Sequence, residues 1–142
     1  MNDRERNLLR QIGRTGRAMY AAFETQVGEP LPRWRILQAL HERKCATQKE
    51  LARHLVLDAG ALTRQMKALE AEGLVTRESH PQDNRLTAVA LTRAGIALVE
   101  STRPRRQTFS RKALQGLPAG ELATTLKVLR LLEQRFHGMS EQ

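Results

Sequence analysis

Residues Thr47 to Gly95 read TQKELARHLVLDAGALTRQMKALEAEGLVTRESHPQDNRLTAVALTRAG, and the architecture of the chain follows from them. Thr47 and Glu50 have capping-box spacing, hydroxyl to the third helical amide and carboxylate back to the first. A helix is predicted to start there and to carry Leu51 and Leu55 inward. Asp58 is a second N-cap. Leu62, Met66 and Leu69 then recur at i, i+4 and i+7 until Gly73 offers a left-handed stop. At about 100° per residue the opposite side of this second helix holds Gly60, Arg64, Lys67 and Ala71, with Thr63 and Gln65 on its flanks and no acid among them. A lone Arg and Lys on a helix usually face solvent and nothing else, so the neighbouring sequence has to decide what this side is for.

After Gly73 come two alternating stretches, Leu74 to Ser79 and Leu86 to Leu91, separated by His80-Pro81-Gln82-Asp83-Asn84-Arg85. They predict a hairpin whose tip carries Arg85, with Asp83 two residues earlier placed to hold the guanidinium by a charge-assisted bond. A helix that follows a short helix, with a basic open side and a basic ribbon beside it, is the layout of a winged helix-turn-helix. On that layout Gly60, Thr63, Arg64, Gln65 and Lys67 face the major groove, and Asp83 sets Arg85 for the minor groove, where the negative potential is deepest.

The motifs narrow this further. Leu69-x-x-x-Gly73-Leu74-Val75-x-Arg77, then Asp83-x-Arg85, then Leu91-Thr92-x-x-Gly95 resemble the DNA-binding core of the MarR family of prokaryotic transcription regulators. The resemblance implies flanking N- and C-terminal helices that build an obligate homodimer, and a small-molecule pocket near the first, second and fifth helices that takes phenolic or aromatic carboxylates. Arg14, Arg17, Tyr20, Arg33 and Trp34 fall in that neighbourhood. Two departures from the family pattern stand out. Pro104 lies inside what the family makes one long fifth helix, and Pro118-Ala119-Gly120-Glu121 replaces the usual polar N-cap of the sixth.

Composition agrees independently. The chain has 142 residues, 24 basic against 15 acidic, for a formal net charge of +9. An excess of that sign attracts a polyanion, nucleic acid or membrane surface. With 27% charged residues and no apolar run of spanning length, the sequence reads as a non-membrane, cytoplasmic protein. The single cysteine, Cys45, fits a reducing compartment; beside Arg43 and Lys44 it also leaves open a redox-responsive regulator. His41, His54, His80 and His137 show no metal-ligand spacing, and neither metal nor cofactor is expected. Gly13-Arg14-Thr15-Gly16 lacks the pattern of a phosphate loop.

Outside the core the chain reads as helical. Ile12, Gly16, Met19, Tyr20, Phe23 and Val27 make one stripe from Leu9 to Gly28. Pro30 and Pro32 open a second helix with Ile36, Leu37 and Leu40 inward. Thr92 caps a segment through Leu114 with a basic cluster of Arg103, Arg105, Arg106, Arg111 and Lys112, read as a solvated face. Leu122, Leu126, Leu129, Leu132 and Phe136 give a last amphipathic helix from Glu121. These flanking stripes have little in one small chain to cover them, which points to a second subunit. The expected protein is mainly α with a small β-wing, one domain over 1–142, with dimerisation helices at 1–28 and 96–142 around a winged helix-turn-helix core at 31–95. The expected function is a repressor that binds a pseudo-palindromic operator in double-stranded DNA and is released by a small aromatic carboxylate. An enzyme is disfavoured by the lack of a catalytic constellation. A nonspecific architectural nucleoid protein is the other reading, and it predicts equal affinity for any duplex.

Overall fold

The computed structural model of the chain describes residues 2–55 and 57–141. They form two compact units, divided after Phe109 within a helix.

The first unit opens with α1, Asp3–Val27, which begins earlier than the stripe from Leu9 indicated. Asn2 and Glu5 make the reason: Asn2 Oδ1 accepts from the Glu5 amide at 2.9 Å and the Asn2 amide donates to Glu5 Oε2 at 2.8 Å. This reciprocal box satisfies two of the orphan donors at the helix start. Gly28, at φ 89°, ends α1 in the left-handed conformation. In α2, Leu31–Arg43, Pro30 is the N-cap and Pro32 sits in the first turn, where a missing N–H costs nothing. Trp34, Ile36, Leu37 and Leu40 are buried on α2.

The next element, β1 at Cys45–Thr47, has no counterpart in the sequence reading. Three residues are too few for alternation to show. The strand exists through its partner: Cys45 pairs with Ala90, Ala46 with Val89 and Thr47 with Ala88, so the sheet is three-stranded and antiparallel in the order β1-β3-β2. Thr47 thus serves the sheet through its backbone and α3, Gln48–Leu55, through its hydroxyl, which accepts from the Glu50 amide at 3.1 Å. α4, Ala59–Ala71, follows, then β2, Val75–His80, and β3, Asp83–Leu91. Leu51, Leu62, Met66, Leu69, Val75 and Val89 close the core under these elements. Each such burial contributes about 1.5–3 kcal/mol, so the inner side of α4 is fixed by apolar packing and its outer side is left to polar groups.

The segment from Thr92 through Leu114, which the family makes one long helix, is two helices here, α5 at Arg93–Ser101 and α6 at Arg103–Leu114. Pro104 is the cause, since it has no N–H for the carbonyl one turn back. Thr102, fully buried at the junction, donates its hydroxyl to the Val99 carbonyl at 2.8 Å, and Arg106 Nη2 donates to the same oxygen at 3.2 Å.

The second unit contains the end of α6 and α7, Ala119–Ser140. α7 starts two residues before Glu121, with Pro118 as an N-cap that supplies no side-chain bond. Of its apolar stripe, Leu122 and Leu132 are half-buried, while Leu126, Leu129 and Phe136 are exposed.

Candidate nucleic-acid interface

The N-terminus of α4 is capped by Asp58, whose Oδ1 accepts from the Ala61 amide at 2.9 Å. Leu62, Met66 and Leu69 are 1% exposed or less, which turns Gly60, Arg64, Lys67 and Ala71 outward together. A Cβ on Gly60 would stand 3.2 Å from Asp58 Oδ1, so glycine keeps the cap uncrowded as well as the surface low. Thr63 and Gln65 are half-buried on the flanks, and the Thr63 hydroxyl donates to the Ala59 carbonyl at 2.8 Å. Its donor is therefore spent on the helix, and Thr63 offers a partner only acceptor lone pairs.

The hairpin differs from the expected one at its tip. The connection is two residues, Pro81-Gln82, and not the six from His80 to Arg85: His80 pairs with Asp83 while Ser79 pairs with Thr87. Asn84, Arg85 and Leu86 are thereby left over on β3 and form a bulge, the device that re-aims a side chain out of a ladder. Arg85 projects from this bulge with its side chain 88% exposed. Three bonds hold it to Asp83: Nε to Oδ1, Nη2 to Oδ2 and the Arg85 amide to Oδ1, each 3.0 Å. The forked geometry is the strong form of the charge-assisted bond. It holds the Asp83 carboxyl below the usual carboxylate range, the side-chain bond from Arg85 first and its backbone bond second, and pushes the Arg85 guanidinium up.

The wing root explains the remaining motif residues. The Thr92 hydroxyl caps α5, accepting from the Gly95 amide at 3.1 Å, and donates to the Gly73 carbonyl at 2.6 Å. The Thr92 amide donates to the Leu74 carbonyl at 3.0 Å. Gly95 is buried so tightly against that carbonyl that a Cβ has no room there. Thr92 and Gly95 therefore bolt the start of α5 to the turn between α4 and β2.

The residues expected around an aromatic ligand are not gathered into one place. Trp34 lines a cleft of about 340 Å³ with Gln38, His41, Glu42, Val99, Arg103, Arg106 and Gln107. Arg33 is committed elsewhere, to Glu29 at 3.0 Å and to Glu72. The Tyr20 hydroxyl accepts from Arg35 Nη1 at 3.1 Å, and Arg14 and Arg17 are exposed on α1; none of these lines the Trp34 cleft. The cation at the indole comes from the basic cluster that reads as a solvated face: the Arg106 guanidinium lies 4.3 Å over the Trp34 ring. Burial, and then the charge of Arg103, lower the pKa of Arg106. Its distance of 72 positions from Trp34 hid this pair, because only the fold brings α6 onto α2. Cys45 is exposed at the sheet edge. Among the described residues no helix is long and apolar enough to cross a membrane.

The MarR family profile matches residues 30–87. The multiple antibiotic resistance protein MarR of Escherichia coli (strain K12) is 33% identical over 98 residues, 68% of each chain. An uncharacterised HTH-type transcriptional regulator of Bacillus subtilis (strain 168), YdgJ, is 28% identical over 135 residues, 95% of this chain and 82% of that one. The crystal structure of a mutant E. coli MarR complexed with operator DNA matches with a TM-score of 0.84 and 27% identity, covering 89% of this chain and 93% of that chain. Sequence motifs, three-stranded sheet, clamped wing and these likenesses converge: the chain belongs to the MarR family, as a DNA-binding winged-helix transcription regulator and not an enzyme.

Proposed function

We propose that this regulator is a cytoplasmic repressor that occupies a pseudo-palindromic operator as a homodimer and is released by a small aromatic carboxylate. The observation that carries the operator reading is the combination of an acid-free outer side of α4, bearing Gly60, Arg64 and Lys67, with an arginine pre-set by Asp83 on a bulged wing. Arg64 and Lys67 suit base edges and phosphates of the major groove, and Arg85 suits the minor groove. The operator-bound relative supports the same use of the fold.

Exposed Leu8 and Leu9 on α1, and Leu126, Leu129 and Phe136 on α7, support a second subunit, because apolar stripes of this kind bury against a partner. A two-fold dimer sets its reading helices ~34–36 Å apart and so calls for a palindromic site, whose occupation excludes polymerase. The effector reading moves to the Trp34 cleft. Arg106 and Arg103 offer guanidinium forks to a planar anion, and the indole under Arg106 becomes a stacking surface when that guanidinium swings off it.

Selection of bound duplexes from a random pool, followed by competition against random DNA of equal length, tests the proposal. A recurring palindrome and a preference of roughly 10³-fold or more are expected of a regulator. Equal affinity for every duplex would establish the architectural reading in its place.

A further inference from the structure

We propose that Arg77 is a positioning residue for operator recognition: it ties the reading helix to the wing and to α3, and so sets the roll of the Arg64–Lys67 side without touching DNA. The inference rests on the operator reading above. Arg77 stands on β2, opposite Val89 in the ladder. Its Nη2 donates to Glu70 Oε1 at 2.9 Å, in the last turn of α4, and its Nη1 donates to Gln48 Oε1 at 3.4 Å, at the first residue of α3. One planar group thus joins three elements through donors spread in a fixed fork. The Arg77 bond is also the first cause of a lowered Glu70 pKa.

Two arguments make this more than a surface ion pair. First, α4 is otherwise held by Leu62, Met66 and Leu69, and apolar contact is non-directional. It fixes which side of α4 faces inward and leaves the fine angle of its roll to directional contacts. Side chains reach ~5–6 Å from a helix axis, so a roll of about 15° displaces them by some 1.5 Å. Binding constellations tolerate about 0.5 Å. The polar bonds to Arg77 supply the missing direction. Second, Glu70 is three residues beyond Lys67, within helical pairing distance. Engaged by Arg77, its carboxylate is held at the wing root and so anchors the turn of α4 that follows Lys67. The arrangement is not optimised for stability alone, since Arg77 Nε is buried without a hydrogen-bond partner, an unfavourable state for a donor.

The test measures binding of the full-length protein to the selected operator and to a random duplex of equal length, across a salt series. Arg77→Ala is expected to weaken operator binding about tenfold or more, the discrimination carried by one well-placed base contact, while random-duplex affinity and its salt slope stay as in wild type. Glu70→Gln should fall in the same direction, and the double variant should be no worse than Arg77→Ala, because the two act as one unit. Arg77→Lys, with charge but no fork, should lie between. Equal loss on both duplexes with a salt slope shallower by about 0.9 per subunit would mean that Arg77 binds phosphate, and overturns the proposal. An unchanged operator-to-random ratio with a lowered Tm also overturns it, as a purely structural role. If Arg77→Ala does not fold, Glu70→Gln decides alone, since its carboxylate is exposed. A wild-type protein with no operator preference overturns the operator reading itself, and this inference with it.

Discussion

Replacing Asp83 by alanine sets charge against geometry at the wing. The substitution removes one negative charge per subunit next to DNA, so electrostatics alone requires tighter binding. The structure requires the reverse, because the three 3.0 Å bonds from Arg85 to Asp83 are what fix a side chain that is otherwise 88% exposed. An unclamped guanidinium must be ordered at the moment of binding, and that ordering opposes association. The companion variant supplies the scale. Each phosphate neutralised contributes about 0.9 to the slope of log affinity against log salt, so Arg85→Ala lowers the magnitude by up to about 1.8 per dimer. Over a fourfold change, from about 50 to about 200 mM, that is ~1.1 log units, so the loss should be roughly tenfold greater at the low-salt end. Asp83→Ala should instead weaken binding at every salt concentration with little change of slope, since the arginine is still present. Anisotropy titrations on the selected operator at four or five salt concentrations read both quantities. The depressed Asp83 pKa adds a sign: its carboxylate form persists as pH falls, so the wing's contribution is constant from neutral into mildly acid solution and is lost only as pH falls through that lowered value. Tighter binding by Asp83→Ala would refute the clamp.

On α4, Arg64→Ala should cost about 1–3 kcal/mol on operator and relax preference at one base position, whereas Lys67→Ala should weaken all sequences alike; an unchanged curve for both, with the fold intact, excludes α4 as the reader. Gly95→Ala drives a Cβ into the Leu74 carbonyl and should lower stability by about 1–3 kcal/mol or more, visible as a reduced Tm. Arg106→Ala should abolish both quenching of Trp34 emission and operator release by planar aromatic acids, and leave ligand-free DNA binding near wild type; retention of both responses removes the cleft as the effector site.

Much of the DNA-reading unit was legible because its signals are local. Asp58, the Leu62-Met66-Leu69 series and Gly73 lie within one helix, and the Asp83–Arg85 bond spans two residues. What the sequence concealed is non-local or too short. β1 is three residues whose strand character comes from Ala88, Val89 and Ala90 more than forty positions on. The bulge that frees Arg85 depends on a shift of pairing between Ser79 and His80, which alternation cannot register. The Arg106–Trp34 stack joins a helix read as solvated to one read as core. Pro104 was visible, but whether a proline kinks a helix or ends it depends on who takes the carbonyls around it, here Thr102 and Arg106.

The wing root also bounds how an occupant of the Trp34 cleft can act on DNA. The cleft is walled by α2 on one side and by Val99, Arg103, Arg106 and Gln107 of α5 and α6 on the other. The far end of α5 has no slack, because Gly95 already touches the Leu74 carbonyl and Thr92 is bonded to Gly73 and Leu74. A ligand that forces α5 away from α2 must therefore either carry Gly73 and Leu74 with it, turning α4 and β2 together, or break the two Thr92 bonds. Hydrogen bonds of this kind contribute about 0.5–1.5 kcal/mol each, so the junction transmits on the order of 1–3 kcal/mol before it yields. That is the coupling needed to change operator affinity by about 5- to 150-fold, and by linkage operator DNA must weaken the ligand by the same factor. A switch of that size needs no large rearrangement of the fold, only a junction rigid enough to pass the strain to α4.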